Sequence, residues 1–209
     1  MASSERDLQV AQDALGIPLR YARCGRNFTQ AAMAGARQCV ELAHYPERDV
    51  VDPVHGTRFY YHAHGSRRRP ADEHGHFHLF AHGAEPGAYM HLVGLSLNAL
   101  GQPVRLFTTN RWVTAETWRP AAEVEQALAR FTVQARGRMA PVARWLTAMV
   151  QLYGRQLALL VRRRDAVMAR RARALSMAQP WDALWEDRRL DVVTESRISL
   201  TQRIQQLGH

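Results

Sequence analysis

Thr57-Arg58-Phe59-Tyr60-Tyr61-His62-Ala63-His64 and, one loop later, Glu73-His74-Gly75-His76-Phe77-His78-Leu79-Phe80-Ala81 are the stretches whose reading decides the fold. Successive side chains on a β-strand point to opposite faces, so residues two apart share one. On the first stretch Tyr60, His62 and His64 share a face, and Phe59 and Tyr61 share the other. On the second, His74, His76 and His78 oppose Phe77 and Leu79. Each segment thus predicts a strand with one apolar face and one histidine face. Paired in a compatible register, the two would gather their imidazoles on one patch of sheet.

The alternation continues on either side. Strands are expected at Thr57–His64, His76–Ala81, Tyr89–Asn98 and Val104–Thr109, divided by loops at Gly65 to Glu73, His82 to Ala88 and Leu100-Gly101-Gln102-Pro103. Short connections favour an antiparallel meander. Outside it the period becomes helical. A short helix is expected over 5–15, stopped by Gly16-Ile17-Pro18, and a longer one over 28–43. Pro120 opens a helix over 120–135. One long helix is expected from Pro141 to Leu175, with Val142, Trp145, Met149, Tyr153, Leu157, Leu160 and Met168 as its buried stripe. Helical turns near 181–189 and 192–207 complete the chain. The fold expected is therefore α+β: an antiparallel β-meander of about four strands packed by N-terminal and C-terminal helices. It is one domain over 1–209, with N-terminal helices in 1–50, the histidine-rich sheet in 55–110 and a C-terminal helical region in 118–209.

Composition narrows the function. The chain has 209 residues, 46% of them hydrophobic, enough to bury a core. No apolar run reaches the ~18 residues of a membrane helix, and the first residues lack the basic-then-apolar pattern of a secretory signal. Cys24 and Cys39 give no disulfide framework and no CxxC pair, so a reducing cytoplasm is expected. The net charge is +9, and the chain contains no lysine. Together with the abundant alanine, this is the composition of a GC-rich bacterial coding sequence. Without lysine there is no Schiff base for pyridoxal phosphate and no Walker A loop. The arginines at 155, 162, 163, 164, 170, 171 and 173 spread around their helix. They read as a solvated face in preference to a grip on nucleic acid, which is the less favoured partner.

Eight of the ten histidines fall between His55 and His91. Imidazole suits zinc, iron, copper and nickel, and a strand is a rigid platform for it. The candidate ligands of a transition metal, iron or zinc foremost, are His62, His64, Glu73, His76, His78 and His91. Three histidines with water suit zinc; two histidines with a carboxylate suit iron. Glu73 and His76 are the candidate catalytic groups, with Glu73 as ligand or general base. The substrate class is a small molecule, and Arg67-Arg68-Arg69 in the loop between the strands would favour an anionic one. The same ligands would also serve a metal-binding or sensing protein without turnover.

Several short matches bear on this segment. Gly56, five residues, then His62-x-His64 is similar to the start of the first cupin motif. However, Gly65-Ser66-Arg67-Arg68-Arg69 stands where that motif has its glutamate, and the second cupin motif is missing. His74-Gly75-His76-Phe77-His78-Leu79-Phe80 is similar to the histidine-triad signature, which implies a nucleotide hydrolase with His76 as nucleophile. His76-Phe77-His78 is similar to the triplet of HUH nucleases, which implies a divalent metal and a helical tyrosine, here Tyr153. Finally, Glu73-His74-Gly75-His76-Phe77-His78, with Tyr60-Tyr61-His62 before it and Leu106-Phe107-Thr108-Thr109-Asn110-Arg111-Trp112 after it, resembles a family of uncharacterised bacterial proteins over residues 55–120. That family implies no activity. It implies that the histidine segment is its defining part.

Overall fold

A computed structural model describes residues 2–64, 70–83, 87–175 and 180–207. The arginine triplet 67–69 lies outside them. The centre is a six-stranded antiparallel sheet in sequential order: β1 (Tyr45–Asp52), β2 (Thr57–His62), β3 (Gly75–His82), β4 (Tyr89–Leu97), β5 (Pro103–Thr109) and β6 (Val192–Arg197). The meander expected from the alternation is present, but with six strands instead of about four. The two additional strands are the edges. β1 carries Pro46 and the charged run Glu47-Arg48-Asp49, and β6 reads Val-Val-Thr-Glu-Ser-Arg. Edge strands need no apolar face on both sides and tolerate proline and charge, so the period-2 signal fades there. β6 also finds its partner, β5, far along the chain, from Thr109 to Val192, a pairing no local window contains.

The helices are α1 (Ala2–Arg23), α2 (Phe28–Ala32), α3 (Arg111–Thr114), α4 (Ala121–Ala129), α5 (Ala140–Leu152), α6 (Gly154–Ala174), α7 (Pro180–Trp185) and α8 (Leu200–Gln205). Four expectations are corrected. α1 does not stop at Gly16 but runs through Pro18. Proline has no N–H for the carbonyl of Ala14 four residues back, and the Trp145 indole N–H donates to that carbonyl at 3.1 Å instead. The helix expected over 28–43 ends at Ala32, because Ala34 and Gly35 take positive φ. The helix expected over 141–175 is two, broken at Tyr153. Residues 192–197, expected as helical turns, form β6.

One face of the sheet is the hydrophobic core. Phe59, Tyr61, Phe77, Leu79, Val93, Leu95 and Leu106 meet Ala14 and Ile17 of α1, Val124 of α4, Trp145 and Met149 of α5, and Leu157 and Leu160 of α6. Burying these side chains is the dominant stabilisation of the fold. The other face carries Arg58, Tyr60 and His62 from β2, His76, His78 and Phe80 from β3, Ser96 from β4, and Arg105 and Phe107 from β5, in rows set by the register. No described helix is long and apolar enough to cross a membrane.

Candidate metal centre

The β2–β3 register sets His62 opposite His76 and Tyr60 opposite His78. His62, His76 and His78 therefore meet on one face, and each offers a ring nitrogen within 4.8 Å of the other two. They are 8%, 4% and 1% exposed, so the group deepens from His62 to His78. This buried trio could hold a metal ion. Aromatic rings surround it. Phe107 sits 5.0 Å from the His76 ring and 5.8 Å from that of His78, and Tyr60 sits 5.2 Å from His78. Phe107 reaches that position because its neighbour on β4 is Gly94: a Cβ there would lie 2.2 Å from the phenyl ring.

The outer nitrogens of two of the three rings are already engaged. Glu73 sits 2.7 Å from His76 Nδ1. An ionised carboxylate only accepts, so His76 Nδ1 carries a proton and donates to it. His62 Nε2 lies 2.8 Å from His76 Nε2. The other oxygen of Glu73 accepts from Ser96 Oγ at 2.5 Å and Arg105 Nη2 at 2.7 Å, while Arg105 Nη1 reaches Glu195 at 2.7 Å. Burial raises the Glu73 pKa, but the His76 hydrogen bond, its charge, Ser96 and Arg105 outweigh it and bring the group down to about 2. Glu73 is therefore an ionised partner of a histidine in the trio, standing behind it.

His91 is placed by a backbone irregularity. Leu79 pairs with Val93, but Phe80 pairs with His91, leaving Leu92 as an extra residue on β4. Such a bulge re-aims the side chains beyond it. Without it, His91 would share the core face with Val93 and Leu95. With it, His91 Nε2 lies 2.9 Å from His78 Nδ1, and His91 Nδ1 lies 3.1 Å from Thr109 Oγ1. The backbone N–H of His91 donates to the buried carboxylate of Glu116. Burial pushes Glu116 up to about 8, against the opposing pull of that N–H, Arg164 and Arg111.

His62, His78 and His91 are held toward the neutral form, the one that ligates metal. Burial, then the neighbouring His76, His64 and His44, lowers His62 to about 2. Burial with His76 and His91 holds His78 well below its ordinary value, and burial with Arg164 and His76 lowers His91 to about 3.

The remaining histidines divide. His64 is half-buried at the rim, its ring 4.8 Å from His62 and 5.3 Å from His76, and it is not one of the trio. His74 turns away: its Nδ1 meets Tyr61 Oη at 2.9 Å, on the core side of the sheet. Gly75 makes room for that phenol, since a Cβ there would lie 2.7 Å from Tyr61 Oη. His82 pairs with Tyr89 at the surface. Sequence reading missed His44, which stacks on Tyr60 at 3.8 Å, 5.9 Å from the His62 ring, with Nδ1 on Asp49. Ser96, Arg105, Thr109 and Glu116 were also missed. Ser96 and Arg105 had a signal, being lone polar residues at alternate positions within apolar strands. His44 and Glu116 lie on connecting segments and had none.

Two groups that the phosphate readings require are elsewhere. His74 leaves the His76–His78 face, and Tyr153 is buried in the hydrophobic core. Of the seven arginines on α6, Arg164 is buried, with its guanidinium 4.2 Å over Trp118 and bonded to Asp165 and the Arg119 carbonyl. The other six are exposed.

Fold and site together define an α+β protein with a buried three-histidine group on an antiparallel sheet. The chain belongs to the family described as DUF6969, a domain of unknown function, whose model matches residues 8–198. No curated protein and no solved structure matches it.

Proposed function

We propose that this is a metal-binding protein in which His62, His76 and His78 hold a transition ion, zinc or iron, and that the ion serves an enzyme acting on a small molecule. The observation that carries this reading is the convergence of three buried imidazoles, two of which have an outer nitrogen tied back where an outer shell should tie it: His76 to Glu73 and His78 to His91. Ligation through Nε2 fits both bonds. Tetrahedral coordination sets ligand nitrogens about 3.3 Å apart, so His62 and His76 need part by only about half an ångström from 2.8 Å. When bound, such an ion supplies a Lewis acid able to activate water or oxygen. The chain's own residues orient the ligands, hold Glu73 ionised and wall the site with Tyr60, Phe80 and Phe107. Arg105 is held by Glu73 and Glu195, so an anionic substrate would need another cation.

The near-complete burial of the trio favours a second reading, a bound metal without turnover. Elemental analysis of protein purified without a histidine tag, beside a His76→Ala/His78→Ala variant, tests both. One ion per chain, lost in the variant, is expected; none in the natural protein would sink both. Cobalt substitution followed by azide titration separates the two. A shifted visible spectrum means an open position, and an unmoved one means a closed site.

A further inference from the structure

We infer that His91 is a positioning residue for this centre, not one of its ligands: it holds His78 in the tautomer whose Nε2 carries the lone pair an ion would take. The inference rests on the reading of the trio as a metal site.

Both ring nitrogens of His91 are engaged, Nε2 with His78 and Nδ1 with Thr109. Neither is left for an ion. The run Thr109–His91–His78 admits two consistent proton patterns. In the first, the Thr109 hydroxyl donates to His91 Nδ1, His91 Nε2–H donates to His78 Nδ1, and the His78 proton sits on Nε2. In the second, every bond reverses. His78 Nδ1–H donates to His91 Nε2, His91 Nδ1–H donates to Thr109, and His78 Nε2 is a bare lone pair. Ligation decides between them. With its Nδ1 taken by His91, His78 can bind an ion only through Nε2, and only where Nε2 carries a lone pair. The second pattern alone supplies it, and it matches His76, whose Nδ1 is turned to Glu73.

The main chain is arranged to keep His91 in place. The bulge at Leu92 brings its ring to the histidine face, and the Glu116 carboxylate accepts its backbone N–H at the bulge. One residue on, the Thr117 N–H donates to the Tyr89 carbonyl, so residues 116–117 strap the start of β4. Glu73 serves His76 as His91 serves His78. One outer partner is a carboxylate and the other a neutral imidazole, so the two rings receive different help from behind: charge at His76, direction alone at His78.

The test compares His91→Leu, which has no acceptor, with His91→Gln, whose amide oxygen can take the Nδ1 proton. Zinc affinity is measured by competition with a chromophoric chelator. The proton of His78 is located by long-range proton–nitrogen correlation in metal-free, nitrogen-15-labelled protein. Expected are a 10–100-fold loss of zinc affinity for His91→Leu, recovery to within a few-fold for His91→Gln, and a wild-type His78 proton on Nδ1. A folded His91→Leu protein that binds zinc as tightly as wild type overturns the assignment. So does a wild-type His78 proton found on Nε2. If the leucine variant does not fold, the glutamine variant and the wild-type tautomer decide. If wild-type protein takes up no zinc, the metal reading has failed, and the tautomer measured without metal still settles what His91 does to His78.

Discussion

Bringing the metal-free protein from pH 7 to pH 5 will remove about 3 kcal/mol of its stability, the net of its buried histidines and Glu116. His62, His78 and His91 are all held neutral on folding, at about 2, well below the ordinary value, and about 3. In the unfolded chain each protonates near 6.5. The unfolded state therefore binds more protons once the pH falls below 6.5, and stability drops as pH falls. Each such group contributes about 1.4 kcal/mol per pH unit below its unfolded pKa, hence about 2 kcal/mol apiece and about 6 kcal/mol for three between pH 7 and 5. Glu116 acts the other way. Its folded pKa of about 8 lies above the unfolded value of 4.5, so it is protonated in the fold before it is in the unfolded chain. It returns about 2–3 kcal/mol over the same interval, which leaves a net loss of about 3 kcal/mol. Glu73, low in the fold, adds to the loss only below about pH 5. Against a total of about 5–15 kcal/mol, the loss is large. Urea unfolding followed by tryptophan fluorescence, with chelator present and ionic strength fixed, measures it. A Glu116→Gln variant should widen the loss to about 6 kcal/mol. Stability that is flat or rises between pH 7 and 5 would refute the argument, because the imidazoles could not then be buried and neutral together.

Two further predictions concern packing. Gly94→Ala places a Cβ 2.2 Å from the Phe107 ring, so thermal unfolding should show a loss of about 1–3 kcal/mol and displaced Phe107 ring resonances; an unchanged melting temperature would mean that Phe107 does not lie over Gly94. Trp145→Phe leaves the Ala14 carbonyl without the donor that replaces the missing N–H of Pro18, and should cost about 1–3 kcal/mol. Adding Pro18→Ala to it should recover part of that, as the helical N–H returns; a double variant no better than the single one would remove Trp145 from that role.

The histidine face was legible because the strand period is two. Spacing alone put His76 and His78 on one face of their strand, opposite Phe77 and Leu79, and set His62 opposite Phe59 and Tyr61 on its own. The break at Pro18 was misread because the sequence shows a lost N–H and not the Trp145 indole that serves the Ala14 carbonyl from 131 residues away. His74 kept the right spacing and took the wrong face, because it precedes the first paired residue of β3 and bonds to Tyr61. His91 had the spacing of a core residue and was turned by a bulge.

Local periodicity therefore determined which residues could share a face: the apolar side, the imidazole side and the meander that joins them. Tertiary structure decided which of them meet. The register set His62 against His76, the bulge at Leu92 set His91 behind His78, and the pairing across β3, β4 and β5 brought Ser96 and Arg105 to Glu73. The reason is physical. Side-chain alternation is a property of one strand and is written in consecutive residues, whereas register, bulges and outer-shell partners are set by hydrogen bonds between segments far apart in the chain.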